Sequence, residues 1–444
     1  MLPGRVTVGG LVLAATLPIV FLHLRYQPAV TLHAGGASET FKLSDAMVLL
    51  TAVATLVAVR RRGTRDLRPG PTVWVTGLLF LGWIVLATFY PLLSHRSYAW
   101  KTHLVTAAEF CEYALLAPAV VVLLRRRADA LLAFAALLAW TTVAVVIGVV
   151  QWAGWTGLHG WGRGHRQPSL LGPHEFAALS ALTLGAGLVV LVLRVEERRV
   201  RAAAWVATVV GIVGFVLGGA TAGIVGLVPA AVLAVWIAVR RRTADRRVLA
   251  GALAAAAVAS VGVVALRAGD FGEFFRFLGL RPLNHSSSTN VQTYPQRTML
   301  AYIGLRIWIH HPIFGVGWQG SNEVSGFGPE LLAAHARFPH VSASSFPSAQ
   351  HPYGVQILYL QALDDLGIFG FAFLVALIAS ALVIGMHAAL RAPPDAALAA
   401  TFGTVWIVIL LGFWLAQGLV AGIPLDAMTW LAFGTVALRP YSQA

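Results

Sequence analysis

The segment SAQHPYGVQILYLQALDDLGIFGFAFLVAL, residues 348–377, sets a histidine, a proline and two adjacent aspartates at the edge of a strongly apolar run. A neutral imidazole is what a general base must offer, and His351 has the position for one. Pro352 suits the first position of a helix, with His351 at its cap. The positive end of the helix dipole there disfavours imidazolium. Val355, Leu358, Tyr359, Ala362, Leu363 and Leu366 form an apolar stripe at helical spacing, and Gln361 and Asp365 share a polar edge. Gly367 is expected to end this amphipathic helix before a span over 368–388. An ordinary cap histidine is the other reading of His351.

The cations upstream point to an anionic ligand. Residues 267–352 hold His285, His310, His311, His335, His340 and His351 together with Arg276, Arg281, Arg297, Arg306 and Arg337. Acids are few and no DxD occurs. A hard cation such as Mg²⁺ calls for clustered carboxylates, so a metal-free site for a phosphate-bearing substrate is expected. A charged face washed by solvent is the plainer alternative. RTMLAYIGLRIWIHH (297–311) reads as a helix too short to span, ended by Pro312 and followed by the glycine-rich FGVGWQG. A basic-ended apolar helix suits a membrane interface, which puts Arg297 at headgroup level. The segment WAGWTGLHGWGRGHRQPSLLGPHEF (152–176) repeats this chemistry with Arg163 and Arg166. Interfacial anchoring explains its tryptophans better than stacking on substrate does.

These residues need a membrane frame. The chain has 444 residues, 58% hydrophobic and only 11% charged, against about 25% charged in soluble domains. Spans of about 20 apolar residues are expected at 6–24, 43–60, 72–93, 103–124, 129–151, 174–193, 202–219, 221–239, 248–266, 368–388, 396–417 and 424–438. The expected fold is all-α: a polytopic bundle of about twelve transmembrane helices with a long, partly helical extracytoplasmic loop. Residues 1–266 carry the first nine spans, 267–367 the large loop with interfacial helices, and 368–444 the last three. The first segment runs into LHLRYQPAV rather than a small-residue cleavage site, so it is kept as a span.

The formal charge of +14 is a topology signal and not a sign of nucleic acid. Arginines cluster in RRRGTRDLR (60–68), RRR (125–127), RVEERRVR (194–201) and RRRTADRR (240–247), alternating with weakly charged loops. The positive-inside rule makes those loops cytoplasmic, with both termini inside and 267–352 outside. Cys111 is the single cysteine, which excludes a disulfide within the chain. Asp45, Glu109, Glu112, Glu175, Asp364 and Asp365 lie within or at the ends of spans. Intramembrane acids face a bundle interior or a cavity, as hydrogen-bonded partners or as a proton path.

Arg297, the following HPIFGVGWQG, and YLQALDDLGIFGFAFL resemble the O-antigen ligase and polymerase family of bacterial membrane glycosyltransferases. Its members carry an arginine before an hP-x-x-G-x-G turn, then H-N-x-x-L-Q-x-L-x-E-x-G leading into a span. FKLSDAMVLL (41–50) and GPHEFAALSALTLG (172–185) resemble further family segments, so the likeness runs in order along nearly the whole chain. Two departures stand out. Gln356 occupies the position of the family histidine, and the nearest histidine, His351, is roughly 7.5 Å away along a helix. The family's Ser-Arg-Gly falls on GGATAGIVG (218–226), which has no arginine; Arg163, Arg166 or Arg306 would have to replace it.

The resemblance implies an inverting, metal-independent transfer of a glycan from a polyprenyl-diphosphate carrier to a glycan or glycolipid hydroxyl. It places the site on the outer face of a bacterial inner membrane and calls for no cofactor. Arg297 is expected on the diphosphate and His351 as base, with Arg163, Arg166, Arg306, Gln356, Gln361 and Asp365 in substrate contact. A polymerase of the same family, or a transporter or binding protein for lipid-linked glycan, uses the same features.

Overall fold

The computed structural model describes residues 5–34, 37–68, 70–94, 97–155, 165–243, 245–269, 293–420 and 422–438. Arg163 and residues 270–292, with Arg276, Arg281 and His285, lie outside them. The described chain is a helical bundle: α1 (Val8–Val20), α2 (Leu43–Arg62), α3 (Pro71–Phe89), α4 (Trp100–Ala114), α5 (Leu116–Leu123), α6 (Arg127–Trp152), α7 (Pro173–Val192), α8 (Arg198–Gly218), α9 (Thr221–Arg241) and α10 (Arg246–Leu266). After the long segment come α11 (Thr293–His310), the short α12 (Val324–Phe327) and α13 (Leu331–Arg337), then α14 (Leu358–Arg391), α15 (Pro394–Phe413) and α16 (Ile423–Val436). One antiparallel hairpin, β1 (Ala29–Ala34) with β2 (Ala37–Lys42), leads into α2.

Ten helical segments among the described residues are long and apolar enough to cross a membrane, counting Trp100–Leu123 as one. The first and last expected spans form shorter helices, α1 of 13 residues and α16 of 14. Leu and Val side chains on the outward faces of α2, α3, α8 and α10 are exposed, among them Leu78 at 70% and Val261 at 66%. Such a continuous apolar girdle is incompatible with water and is covered by lipid. The axis of the bundle is α7, 94% buried, flanked by α15 at 78%. Small residues make the close packing possible, as between membrane helices generally: a side chain on Gly211 of α8 would meet the Leu184 backbone of α7 at 2.6 Å.

The four arginine clusters gather at one end, here the basic end. Arg127 bonds Glu197 at 2.9 Å and lies 3.9 Å from Asp395, and Arg194 pairs with Asp245. Arg241 caps the end of α14 by donating to the carbonyls of Ala389 and Ala392, as a cation at a helix C-terminus should. Asp129 at this end caps α6 through the Arg126 amide and pins α1 through the Thr7 amide. The acids read as possible proton carriers are in part consumed by structure: Asp45 accepts from the Lys42 amide and Tyr113 Oη, and Glu109 binds Lys42 Nζ at 2.6 Å.

The opposite, loop end holds a small core of its own. Met299, Leu300, Ile303 and Ile307 of α11 pack with Val316, Phe327, Ala334 and Phe346. This layer is tied to the bundle by backbone hydrogen bonds. The amides of Val316 and Gly317 donate to the carbonyls of Asp364 and Asp365, and Ile368 N–H to Pro312. Gly367 makes this junction possible. Its φ of 66° kinks α14 between an amphipathic turn and the membrane-crossing part, at the position where the sequence expects a helix end. A Cβ on Gly367 would sit 2.2 Å from the Ile313 carbonyl oxygen.

Gly367→Ala therefore imposes both a disfavoured backbone and a clash. We expect a loss of about 1–3 kcal/mol, read as a lower thermal midpoint of the detergent-solubilised protein. An unchanged midpoint would contradict the role given to this kink.

Candidate functional site

The turn after α8 is where cations meet. Gly219 follows the helix at φ 59°, leaving the last carbonyls of α8 without helical partners. Arg166 Nε donates to Gly218 O at 2.9 Å, and Arg267 Nη1 to Gly219 O at 3.2 Å. Arg166 belongs to the strap before α7, whose Gln167 amide bonds Leu217 O. The strap is held rigid because Ser169 exchanges bonds with Gln151 through its amide and carbonyl. Arg166 Nη1 also donates to His174 Nε2 at 3.3 Å. The charge of Arg297, from α11, reaches His174 together with those of Arg166 and Arg267.

Arg166 thus touches the His174 imidazole, and Arg267 and Arg297, from two other parts of the chain, lie within electrostatic reach of it. All three side chains are half-buried. The Glu175 carboxyl, at the start of α7, lies within electrostatic reach of Arg166. Guanidinium forks match diphosphate oxygens in geometry and charge.

Two of these residues, Arg166 and Arg297, are ones the sequence singles out. Arg267 is not. It sits at the GGATAGIVG turn that lacks its own arginine, and its signal was an arginine closing an apolar run at the end poor in such residues. Arg306 lies nine positions after Arg297 on α11, roughly 13.5 Å on and half a turn round. Its Nε binds Glu330 at 2.6 Å, and His310 Nδ1 holds the other oxygen at 2.6 Å. The structure thus separates Arg306 from the arginine group.

The expected helix start at Pro352 is corrected. Residues 351–357 run without helix, and α14 begins at Leu358. Val355 is drawn down against Gly304 of α11, and Gly354 lies on the Asn322 side chain. That extended course fills the loop-end core, so His351 has no helix dipole acting on it. It is exposed, in a bend closed by Ser348, beside Tyr353. Gln356 is half-buried in the same stretch. Gln361 and Asp365 are buried, and they hold loops in place. Asp365 accepts from the Ser321 amide at 2.8 Å and from Gln361 Nε2 at 3.1 Å, and Gln361 Oε1 accepts from the Leu419 amide at 2.5 Å.

A second polar group lies near residues 348–352. His103 Nε2 is 2.7 Å from Glu323 Oε1, which also accepts from the Ala99 amide at 2.9 Å. Burial works to raise the Glu323 carboxyl, but these hydrogen bonds outweigh it and keep it below the usual carboxylate range. Glu323 is therefore ionised at neutral pH. Burial, with Asp365 and Glu323 nearby, pushes the Tyr98 phenol up, so it stays protonated and donates to Trp318 O at 2.7 Å.

The Glu330 pair gives a pH prediction. Burial opposes ionisation of Glu330, yet Arg306 and His310 hold its carboxyl below the ordinary value of 4.5. A depressed carboxylate stabilises above its unfolded pKa, and the contribution is lost as pH falls through the folded value. The difference in thermal midpoint between wild type and Glu330→Gln should be constant above about pH 5 and shrink below about 4.5. A difference independent of pH across that window would contradict the pairing.

Residues 206–375 match the family model described as O-antigen ligase. The match runs from α8 through the Gly218–Gly219 turn, Arg267 and Arg297 to the kink at Gly367. No curated protein matches the chain. The match covers 170 of the 444 residues and supports the likeness to O-antigen ligases.

Proposed function

We propose that this protein transfers a glycan from a polyprenyl-diphosphate carrier to a sugar hydroxyl, at a site on the extracytoplasmic side of a bacterial inner membrane. What supports this reading is the convergence of Arg166, Arg267 and Arg297 on His174 within a domain matched to O-antigen ligases. The separation of the basic end from the loop end supports the sidedness, through the positive-inside rule.

In this reading the acceptor hydroxyl attacks the anomeric carbon and the lipid diphosphate departs with the bonding pair. Charge grows on the diphosphate oxygens during that step. Preorganised guanidiniums stabilise it most, because they need no rearrangement at the moment of reaction. Arg166 and Arg267 are fixed by the α8 carbonyls and Arg297 by its helix, so their geometry exists before substrate arrives. The chemistry asks for no redox group and no cofactor.

The hydroxyl proton goes to a base. His351, the sequence candidate, stands in the exposed bend beside residues 348–352. His103 lines the cavity that Ser348, Ala349 and Pro352 also line, with Glu323 ionised at its Nε2. Arg306, tied to Glu330, holds α11 against α13 and thereby fixes the helix that carries Arg297. Gln361 and Asp365 hold the loops at 321 and 419. Gln356, in place of the family histidine, has an amide that hydrogen-bonds a sugar without accepting its proton. Arg163, three positions before Arg166 in sequence, is a further candidate for the diphosphate.

The test supplies purified protein with a polyprenyl-diphosphate glycan and an acceptor glycan and follows release of the lipid diphosphate. Arg267→Ala, Arg166→Ala and Arg297→Ala should each slow release by about 10²-fold or more, with chelator making no difference. Wild-type rates in all three would overturn the assignment. Of His351→Ala and His103→Ala, the one that abolishes turnover while donor binding persists marks the base.

A further inference from the structure

We infer that the cavity beside His103 and Glu323 is the acceptor subsite, built to hold a neutral sugar chain; this rests on the glycan-transfer reading above. The cavity has a volume of about 570 Å³ and is walled by Ser97, Tyr98, Thr102 and His103 from the start of α4, Asn322 to Ser325 from the glycine-rich turn, and Ser348, Ala349 and Pro352 from the stretch before α14. That volume falls within the range of small-ligand sites, roughly 300–1,000 Å³.

Its chemistry selects the ligand. Among the described residues that line it there is no lysine or arginine, and one carboxylate, Glu323, is ionised. A phosphate or an acidic sugar would be repelled, so this is not a second diphosphate site. The wall offers hydroxyls, an amide and a carboxylate, the mixed donors and acceptors that polyols require. Carboxylate-to-hydroxyl bonds are the stronger class among these. Tyr98 and His103 stack at 4.7 Å and 26°, forming a flat aromatic edge.

Side-chain atoms just behind the wall are also left over. Asn322 Oδ1 and Gln319 Nε2 have no hydrogen-bond partner among the described residues. Buried polar atoms without partners are costly, and rotation of the Asn322 amide would turn a donor or an acceptor toward a ligand. Asp365 fixes the Ser321 amide, so this wall is joined to the kink of α14. Gly354 closes over Asn322 so tightly that a Cβ there would lie 1.8 Å from Oδ1. A larger residue at 354 must displace Asn322.

Saturation-transfer NMR on the detergent-solubilised full chain tests this with no donor present, using neutral disaccharides (β-linked glucose, galactose and N-acetylglucosamine pairs) and sialyllactose as the acidic probe. Saturation of at least one neutral disaccharide is expected, weaker by about tenfold in affinity for Asn322→Ala and for Gly354→Val, and retained in Glu330→Gln, whose change lies elsewhere. Circular dichroism and gel filtration check that each variant is folded. Equal saturation in wild type and folded Asn322→Ala, or preferential binding of the acidic probe, overturns the inference. Because no donor is used, the two readings fail separately. Sugar binding lost in the variants while lipid diphosphate is never released sinks the transfer reading and keeps the pocket as a sugar site. Transfer with disaccharide binding indifferent to both variants sinks the pocket.

Discussion

Two peptide carbonyls, those of Asp364 and Asp365, join the loop end to the membrane bundle. They accept from Val316 and Gly317, so the glycine-rich turn lies along α14 almost as a strand would. The constraint is steric as much as electrostatic. A side chain on Gly315 would sit 2.4 Å from the Asp365 backbone, and Gly367 supplies the left-handed residue that turns α14 away. α11, and with it Arg297, is placed by this junction, because Gly304 packs against the Asp364 carboxyl and Val355. One wall of the His103 cavity is placed by it too, through the bond from Ser321 to Asp365.

A second constraint fixes the arginines. The C-terminus of α8 presents carbonyls that need donors, and Arg166 and Arg267 provide them. Capping a helix is a structural duty that any arginine there could serve. What goes beyond capping is number and direction: Arg297 arrives from a third element and faces the same imidazole.

Much of this was legible in the sequence, and the failures have physical causes. Spans show because a bilayer admits only long apolar helices. Arg297 shows as the basic start of a short apolar helix, and Arg166 as a cation in a tryptophan-rich loop. Gly367 shows as a break between an amphipathic and a uniformly apolar stretch. The start of α14 was misplaced because Pro352 fits a helix N-terminus locally, while Val355 and Gly354 are claimed by tertiary contacts with Gly304 and Asn322. Arg267 hid at the border of a span and a long polar segment. The pairing of His103 with Glu323 joins residues 220 positions apart, and no local pattern announces such a contact.

The account stands on where the diphosphate sits. A cryo-EM structure of the protein with a bound polyprenyl diphosphate reads that directly. The predicted map has phosphate oxygens within hydrogen-bond distance of the Arg166, Arg267 and Arg297 guanidiniums, beside the end of α8. Lipid diphosphate density held elsewhere, away from those three side chains, would contradict it.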